Sequence, residues 1–346
     1  MTDSRLICIG SSTDGPGTSG NGLSVLGYRA QGGATFRNVA MLDIPSPSWL
    51  EWHPTRRVLY ATNEVTAGSV TAVLLDERGV PQVMGVRPTG GAHPCHAQVT
   101  PDGRFLIVAN YSGGNIAVFA LDVDGHMTER TDLVQHHGSG PVADRQQTPH
   151  PHMVVLTADG RGVSVVDLGT DSIHSYRLSN TGRLIPVVIS ALPPGCGPRQ
   201  LVRQPGSSKG YVIAELAGSL IAVEETAPGE FVARAPVQAS SAPVANLVAQ
   251  LTLSADGRIG YLSNRGPNSI SVFDLSANVP RQLAEYPVGS GWPRHFDLVD
   301  DRLLAADQDA GELVAFEVRS GGTELVRTGR FAIGTPTCVA VSRFSL

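Results

Sequence analysis

Charge is scarce in this sequence. Only 16% of its residues are Asp, Glu, Lys or Arg, and 26 basic against 31 acidic side chains leave a formal net charge of −5. Chains that wrap nucleic acid, or that stay unfolded, carry far more charge of one sign, so neither class fits and no nucleic-acid partner is expected. Cysteine is equally sparse. Cys8, Cys95, Cys196 and Cys338 lie far apart without a C-x-x-C pair, which argues against a zinc knuckle or a disulfide scaffold and for a reducing compartment. Nowhere do about 18 apolar residues run together, and Met1 to Gly10 is too short in apolar residues for a signal peptide, so we expect a soluble, cytoplasmic protein with no membrane partner.

Punctuation, in contrast, is abundant. The 39 glycines and 24 prolines fall between short runs of Val, Ile and Leu, the pattern of many strands joined by many turns. One unit repeats. His96 to Asn110 returns as His152 to Asp167 and again as Gln250 to Asn264, with weaker copies starting at Trp49, Gln200 and His295 and a last one cut short at Cys338. The anchors are 47, 56, 48, 50, 45 and 43 residues apart, a propeller-blade period longer than that of helical solenoids. The longest interval contains an expected loop insertion over roughly 136–148.

Each copy contains alternating apolar residues around a turn, and Asp-Gly at 102–103, 159–160 and 256–257 marks the hairpins. Asp102, Asp159 and Asp256 are therefore turn residues, and His53 beside Pro54 is given a structural role. In a regular hairpin, residues equidistant from the turn face one another, which would set His96 opposite Asn110, His152 opposite Asp167 and Gln250 opposite Asn264. The last copy supplies one strand, and Leu6 to Gly10 with Leu23 to Leu26 supply those that should follow it. The expected fold is all-β: one domain over 1–346, a seven-bladed β-propeller with four-stranded blades, its ring closed by pairing the N- and C-terminal strands.

The same arithmetic gathers polar residues at one channel mouth: Asn63 and Glu64; His96, Asn110 and Tyr111; His150, His152 and Asp167; Arg199, Gln200 and Glu215; Asn264 and Arg265; Arg294, His295, Asp307 and Gln308. Clustered guanidinium groups repel unless carboxylates or a ligand compensate them, so the three arginines point to an anionic ligand.

Gly138-Ser-Gly-Pro141, Asp144-Arg-Gln146, Pro149-His-Pro-His152, Gly197-Pro-Arg199, Ala214-Glu-Leu216, Leu262-Ser-Asn-Arg-Gly266 and Pro293-Arg-His-Phe296 together resemble the seven-bladed propeller lactonases, the family of 6-phosphogluconolactonase and carboxy-cis,cis-muconate cyclase. Where that family usually has Arg-His in the fourth blade, this chain has Arg199-Gln200. The resemblance implies catalytic positions at His152, Glu215, Arg199 and Arg265, with no metal and no cofactor. Arg294, His295, His96, His150, Asp167 and Asn264 are the candidate substrate contacts. The reading is a hydrolase acting on a small anionic lactone or carboxylate substrate, with His152 or Glu215 as base, while the mouth carboxylates leave a structural calcium open. Ring-forming cyclisation of a muconate would suit the same arginines. A protein-binding propeller is the other alternative, disfavoured because no Trp-Asp dipeptide is present. Oligomeric state is not legible.

Overall fold

The computed structural model describes residues 5–15, 17–29 and 34–345. Of the expected span, residues 1–4, 16, 30–33 and 346 lie outside the described residues. Seven antiparallel sheets follow one another along the chain. Six of them are consecutive, and one runs from an inner strand through to an outer one in the order Pro151–Leu156, Gly162–Asp167, Ser172–Leu178, Leu184–Ala191. The inner strands touch their neighbours in a circle, forming a seven-bladed propeller whose helical content among the described residues is the single 3-10 turn Ser320–Gly322. The fourth blade alone has a short extra strand, Val237–Gln238.

The seventh blade is built from both ends of the chain. Pro336–Ser345 is its inner strand and pairs antiparallel with Arg5–Ser11, which pairs in turn with Leu23–Arg29. Between blades the second and third strands bury nearly continuous apolar runs, such as Phe105–Asn110 and Lys209–Ala214, whereas fourth strands such as Leu184–Ala191 alternate toward solvent. The Asp-Gly turns have the anticipated chemistry. Gly103, Gly160 and Gly257 take φ of +72°, +68° and +69°, a region open to glycine at little cost, and Asp102, Asp159 and Asp256 each accept from a Thr or Ser hydroxyl at 2.6 Å. His53 accepts two backbone amides through Nδ1, and 136–150 contains no strand.

The hairpin register departs from the regular ladder. Asn110 lies opposite Pro94, Asp167 opposite Pro151 and Asn264 opposite Val248, so the facing pairs expected with His96, His152 and Gln250 do not form. The reason is a β-bulge in the inner strand of every blade. Ser48, Cys95, His152, Arg199, Arg294 and Thr337 are each skipped by the pairing, as are Ala249 and Gln250. An unpaired residue re-aims its side chain and bends its strand. Six of the seven bulges follow a proline, which has no amide hydrogen to give to a ladder. The anchor at His152 is thus one residue out of phase: in the fold it corresponds to Cys95, Arg199 and Arg294, and Met153 corresponds to His96 and His295.

Candidate active site

All the bulged residues line one small hollow on the propeller axis, about 30 Å³ in volume, room for about one water. Trp49 packs between the rings of His96 and His295, at centroid distances of 4.2 and 5.1 Å, and lines the hollow with them. A wider hollow of about 270 Å³ adjoins it through Ser48, Arg294 and Thr337 and reaches Glu64 and His93. A second set of side chains comes from the ends of the second strands, where Glu64, Tyr111, Glu215 and Arg265 finish or directly follow Val58–Asn63, Phe105–Asn110, Lys209–Ala214 and Ile259–Arg265.

Glu215 is the hub. Its Oε2 accepts from Arg199 Nη1 at 3.0 Å and lies 2.8 Å from Arg265 Nη2, and its Oε1 accepts from Arg145 Nη2 at 2.8 Å. Arg199 Nη1 also donates to His152 Nε2 at 2.5 Å. Since a guanidinium only donates, that imidazole nitrogen is the acceptor and the other carries the ring hydrogen. The other nitrogen, Nδ1, faces Cys95 Sγ at 3.9 Å. Arg199 and Arg265 are also fixed to backbone: Arg199 Nε donates to Ala249 O at 2.7 Å, Arg265 Nε to Leu247 O at 2.8 Å, and Arg265 lies over the Trp292 ring. Arg294 pairs with Glu64 at 2.8 Å. Four guanidinium groups thus meet two carboxylates within this cluster, an excess of two positive charges, with Asp14 lining the wider hollow beside Arg294 and Glu64.

The electrostatics follow from that excess. Burial pushes the Glu215 carboxyl upward, yet Arg265, Arg199 and Arg145 outweigh it and hold the group well below the usual carboxylate range. Burial and then Arg199 hold His152 well below the usual imidazole value, so it is neutral. Burial brings Arg265 down to about 10, a value at which it keeps its charge at neutral pH.

His152, Glu215, Arg199 and Arg265 therefore converge despite their separation in sequence, and Arg294 stands beside them. His96 and His295 line the same hollow while serving as inter-blade acceptors: His96 Nδ1 takes Val154 N–H at 3.3 Å and His295 Nδ1 takes Val339 N–H at 3.2 Å. Gln200 does the same for Leu251 N–H at 2.6 Å, so glutamine replaces histidine in the fourth blade without loss of the bond. His150 stacks on Tyr111 at 4.3 Å and bonds its carbonyl through Nδ1 at 2.9 Å, one layer behind the hub.

Asp167 and Asn264 are not brought to the hub. Both are fully buried one residue before the position that reaches it, and they clasp their own loops. Asp167 accepts from the backbone of His150 and Gly169 and from His136 Nδ1 at 2.6 Å, and Asn264 bonds Asn246, Ser269 and Ser271. His136, Asp167 and His174 have ligand atoms within 4.8 Å of one another and are the group best placed to hold a metal among the described residues. His136 is already engaged at both nitrogens, since Tyr176 O–H bonds its Nε2 at 2.9 Å, so the cluster acts as a hydrogen-bonded brace.

Arg145 is not among the site residues expected from the sequence. It lies in the 136–148 loop, outside the repeated unit and 70 residues from Glu215 in sequence, and folding brings the two together. Its neighbour gives the cue: Gln146 is fully buried and pins the loop through Leu168 O and Asp171 Oδ1, each at 2.7 Å.

A closed seven-bladed ring with a carboxylate ringed by arginines over its axis defines an enzyme-like propeller with an arginine-rich mouth. The family described as "Lactonase, 7-bladed beta-propeller" matches residues 6–341, and the chain belongs to that family. It is 30% identical over 311 residues to the 6-phosphogluconolactonase of Bacillus subtilis, covering 85% of this chain and 86% of that one. Against the 6-phosphogluconolactonase of Formosa agariphila the identity is 28%, covering 89% and 91%. Among solved structures, the periplasmic gluconolactonase of Pseudomonas aeruginosa superposes with a TM-score of 0.90 at 25% identity, covering 98% of this chain and 99% of that one.

Proposed function

We propose that this chain hydrolyses a sugar lactone bearing an anionic group, with 6-phosphogluconolactone as the first substrate to test, and that it does so in the cytoplasm as a single folded domain. The observation that carries the reading is the gathering of three guanidinium groups, Arg145, Arg199 and Arg265, on the single carboxylate of Glu215. A lactone seated over the hub would direct its carbonyl oxygen at Arg199 and Arg265, whose fixed guanidinium groups would stabilise the oxyanion as charge develops. Glu215 is the better base of the two candidates, because both ring nitrogens of His152 face protein atoms while Glu215 Oε1 has one exposed partner. Water oxygen then bonds the carbonyl carbon as Glu215 takes one water proton. Collapse of the tetrahedral intermediate breaks the ring C–O bond, and the same proton passes from Glu215 to the departing ring oxygen. His152, neutral and accepting from Arg199, would aim that arginine.

Purified protein should open 6-phosphogluconolactone faster than spontaneous hydrolysis, as followed by acid release at constant pH. Glu215→Gln should lower kcat by about 10²-fold or more, within the range general-base catalysis supplies. Arg199→Ala should raise KM and lower kcat together. Full activity in both variants would show that the hub serves another purpose. Carboxymuconate, run in parallel, tests the ring-forming alternative.

A further inference from the structure

We propose that Arg145 is a substrate-operated cap on Glu215: the anionic group of the lactone draws Arg145 off Oε1 and so exposes the atom that receives the proton. This rests on the hydrolase reading above and adds the device that couples recognition to reactivity. The two oxygens of Glu215 are held differently. Oε2 is shared by Arg199 and Arg265, both bonded to backbone carbonyls and both nearly buried. Oε1 is covered by Arg145 alone, and Arg145 holds only side chains, Glu215 Oε1 at 2.8 Å and Tyr111 Oη at 3.3 Å.

Exposure separates them further. The Arg145 side chain is 37% exposed against 8% for Arg265, so Arg145 can exchange partners with a ligand at the rim while the other two cannot. Its loop does not need to move, since buried Gln146 fixes the backbone and leaves the guanidinium as the moving part. In the resting arrangement every acceptor direction used on Glu215 points at a cation. A dianion at the rim would change that twice over, by removing one cation from Oε1 and by matching the excess charge around it. Binding energy from a part of the substrate remote from the reacting carbonyl would then be expressed as rate.

The test separates the anion from the lactone. Turnover of neutral glucono-1,5-lactone is measured with phosphite added in trans, with acetate as the monoanionic control, for the native protein and for Arg145→Ala and Arg145→Lys. Expected for the native protein is a saturable rise in kcat/KM of about tenfold or more with phosphite, the scale of ordinary site-to-site coupling, and a smaller rise with acetate. Arg145→Ala should turn over the neutral lactone faster than the native protein does without phosphite and show no activation, and Arg145→Lys should recover part of the activation. The acid limb of the Arg145→Ala pH profile should also move to higher pH, because removing a cation from beside Glu215 makes the carboxylate easier to protonate. An equal response to phosphite in native and Arg145→Ala proteins, purely competitive inhibition, or an unmoved acid limb would overturn the proposal while leaving the hydrolase reading in place. Failure of the native protein to open either lactone would overturn both.

Discussion

Glu215 shows how much one side chain can hold together. It neutralises part of three guanidinium groups inside a mouth that water barely reaches, so its charge is structural as well as chemical. Replacing it with glutamine keeps the shape and removes the charge, and breaking a buried ion pair by neutralising one partner typically costs about 3–5 kcal/mol. Thermal melts of Glu215→Gln should therefore show a clear loss of stability with a cooperative transition retained. Inorganic phosphate should restore more of that loss in the variant than it adds to the native protein, since an anion can take the empty place among the arginines. A variant as stable as the native protein, with no response to phosphate, would mean that the arginines are compensated elsewhere. The repeated unit made the gathering of polar residues at one mouth legible in the sequence, and the resemblance to the propeller lactonases singled out His152, Arg199, Glu215 and Arg265 among them. Arg145 stood in one of the motifs of that resemblance, Asp144-Arg-Gln146, without a role attached to it, since a loop residue acquires its role from where the loop lands.

Among the elements, the inner strands do the work of positioning. Their bulges aim side chains at the axis, and the residues beyond the bulges tie each blade to the next: Glu51 Oε1 accepts from Val99 N–H, Gln98 Oε1 from Leu156 N–H and Asp297 Oδ2 from Val341 N–H. Where a carboxylate fills this role, burial raises its pKa, to about 7 for Glu51 and about 6 for Asp297. The folded state then binds a proton more readily than the unfolded chain, so stability falls as pH rises from the ordinary carboxylate range through these values. Glu51→Gln keeps an acceptor for Val99 and should raise the melting temperature at pH 8, with the gain shrinking toward pH 5. A gain of the same size at both pH values would remove the titration of Glu51 as its cause. Strand order and turn chemistry were readable from period and alternation. Register was not, because counting outward from a turn assumes an unbroken ladder, and each blade breaks it once. The repeated proline two residues ahead of Trp49, His96, Met153, Gln200, His295 and Cys338 was the visible sign of the break.

At the scale of the whole molecule, a chain with net charge −5 concentrates positive charge at one end of its axis. Long-range attraction of an anionic lactone to that mouth is screened by salt over a Debye length of about 8–10 Å near physiological ionic strength. KM for 6-phosphogluconolactone should therefore rise as ionic strength increases, while KM for the uncharged lactone stays nearly constant. Parallel salt dependence for both would place the effect outside the mouth. The same closed ring imposes an order in time. Arg5–Ser11 is made more than three hundred residues before one of its two partners, Pro336–Ser345. At roughly 5–20 residues per second of synthesis, the opening strand waits roughly 15 to 65 s with an unpaired edge while more than three hundred residues are added. The pairing that completes the seventh blade thus leaves Arg5–Ser11 with one unpaired edge until Pro336–Ser345 has been made, while the six blades between them are each complete as soon as their own strands are.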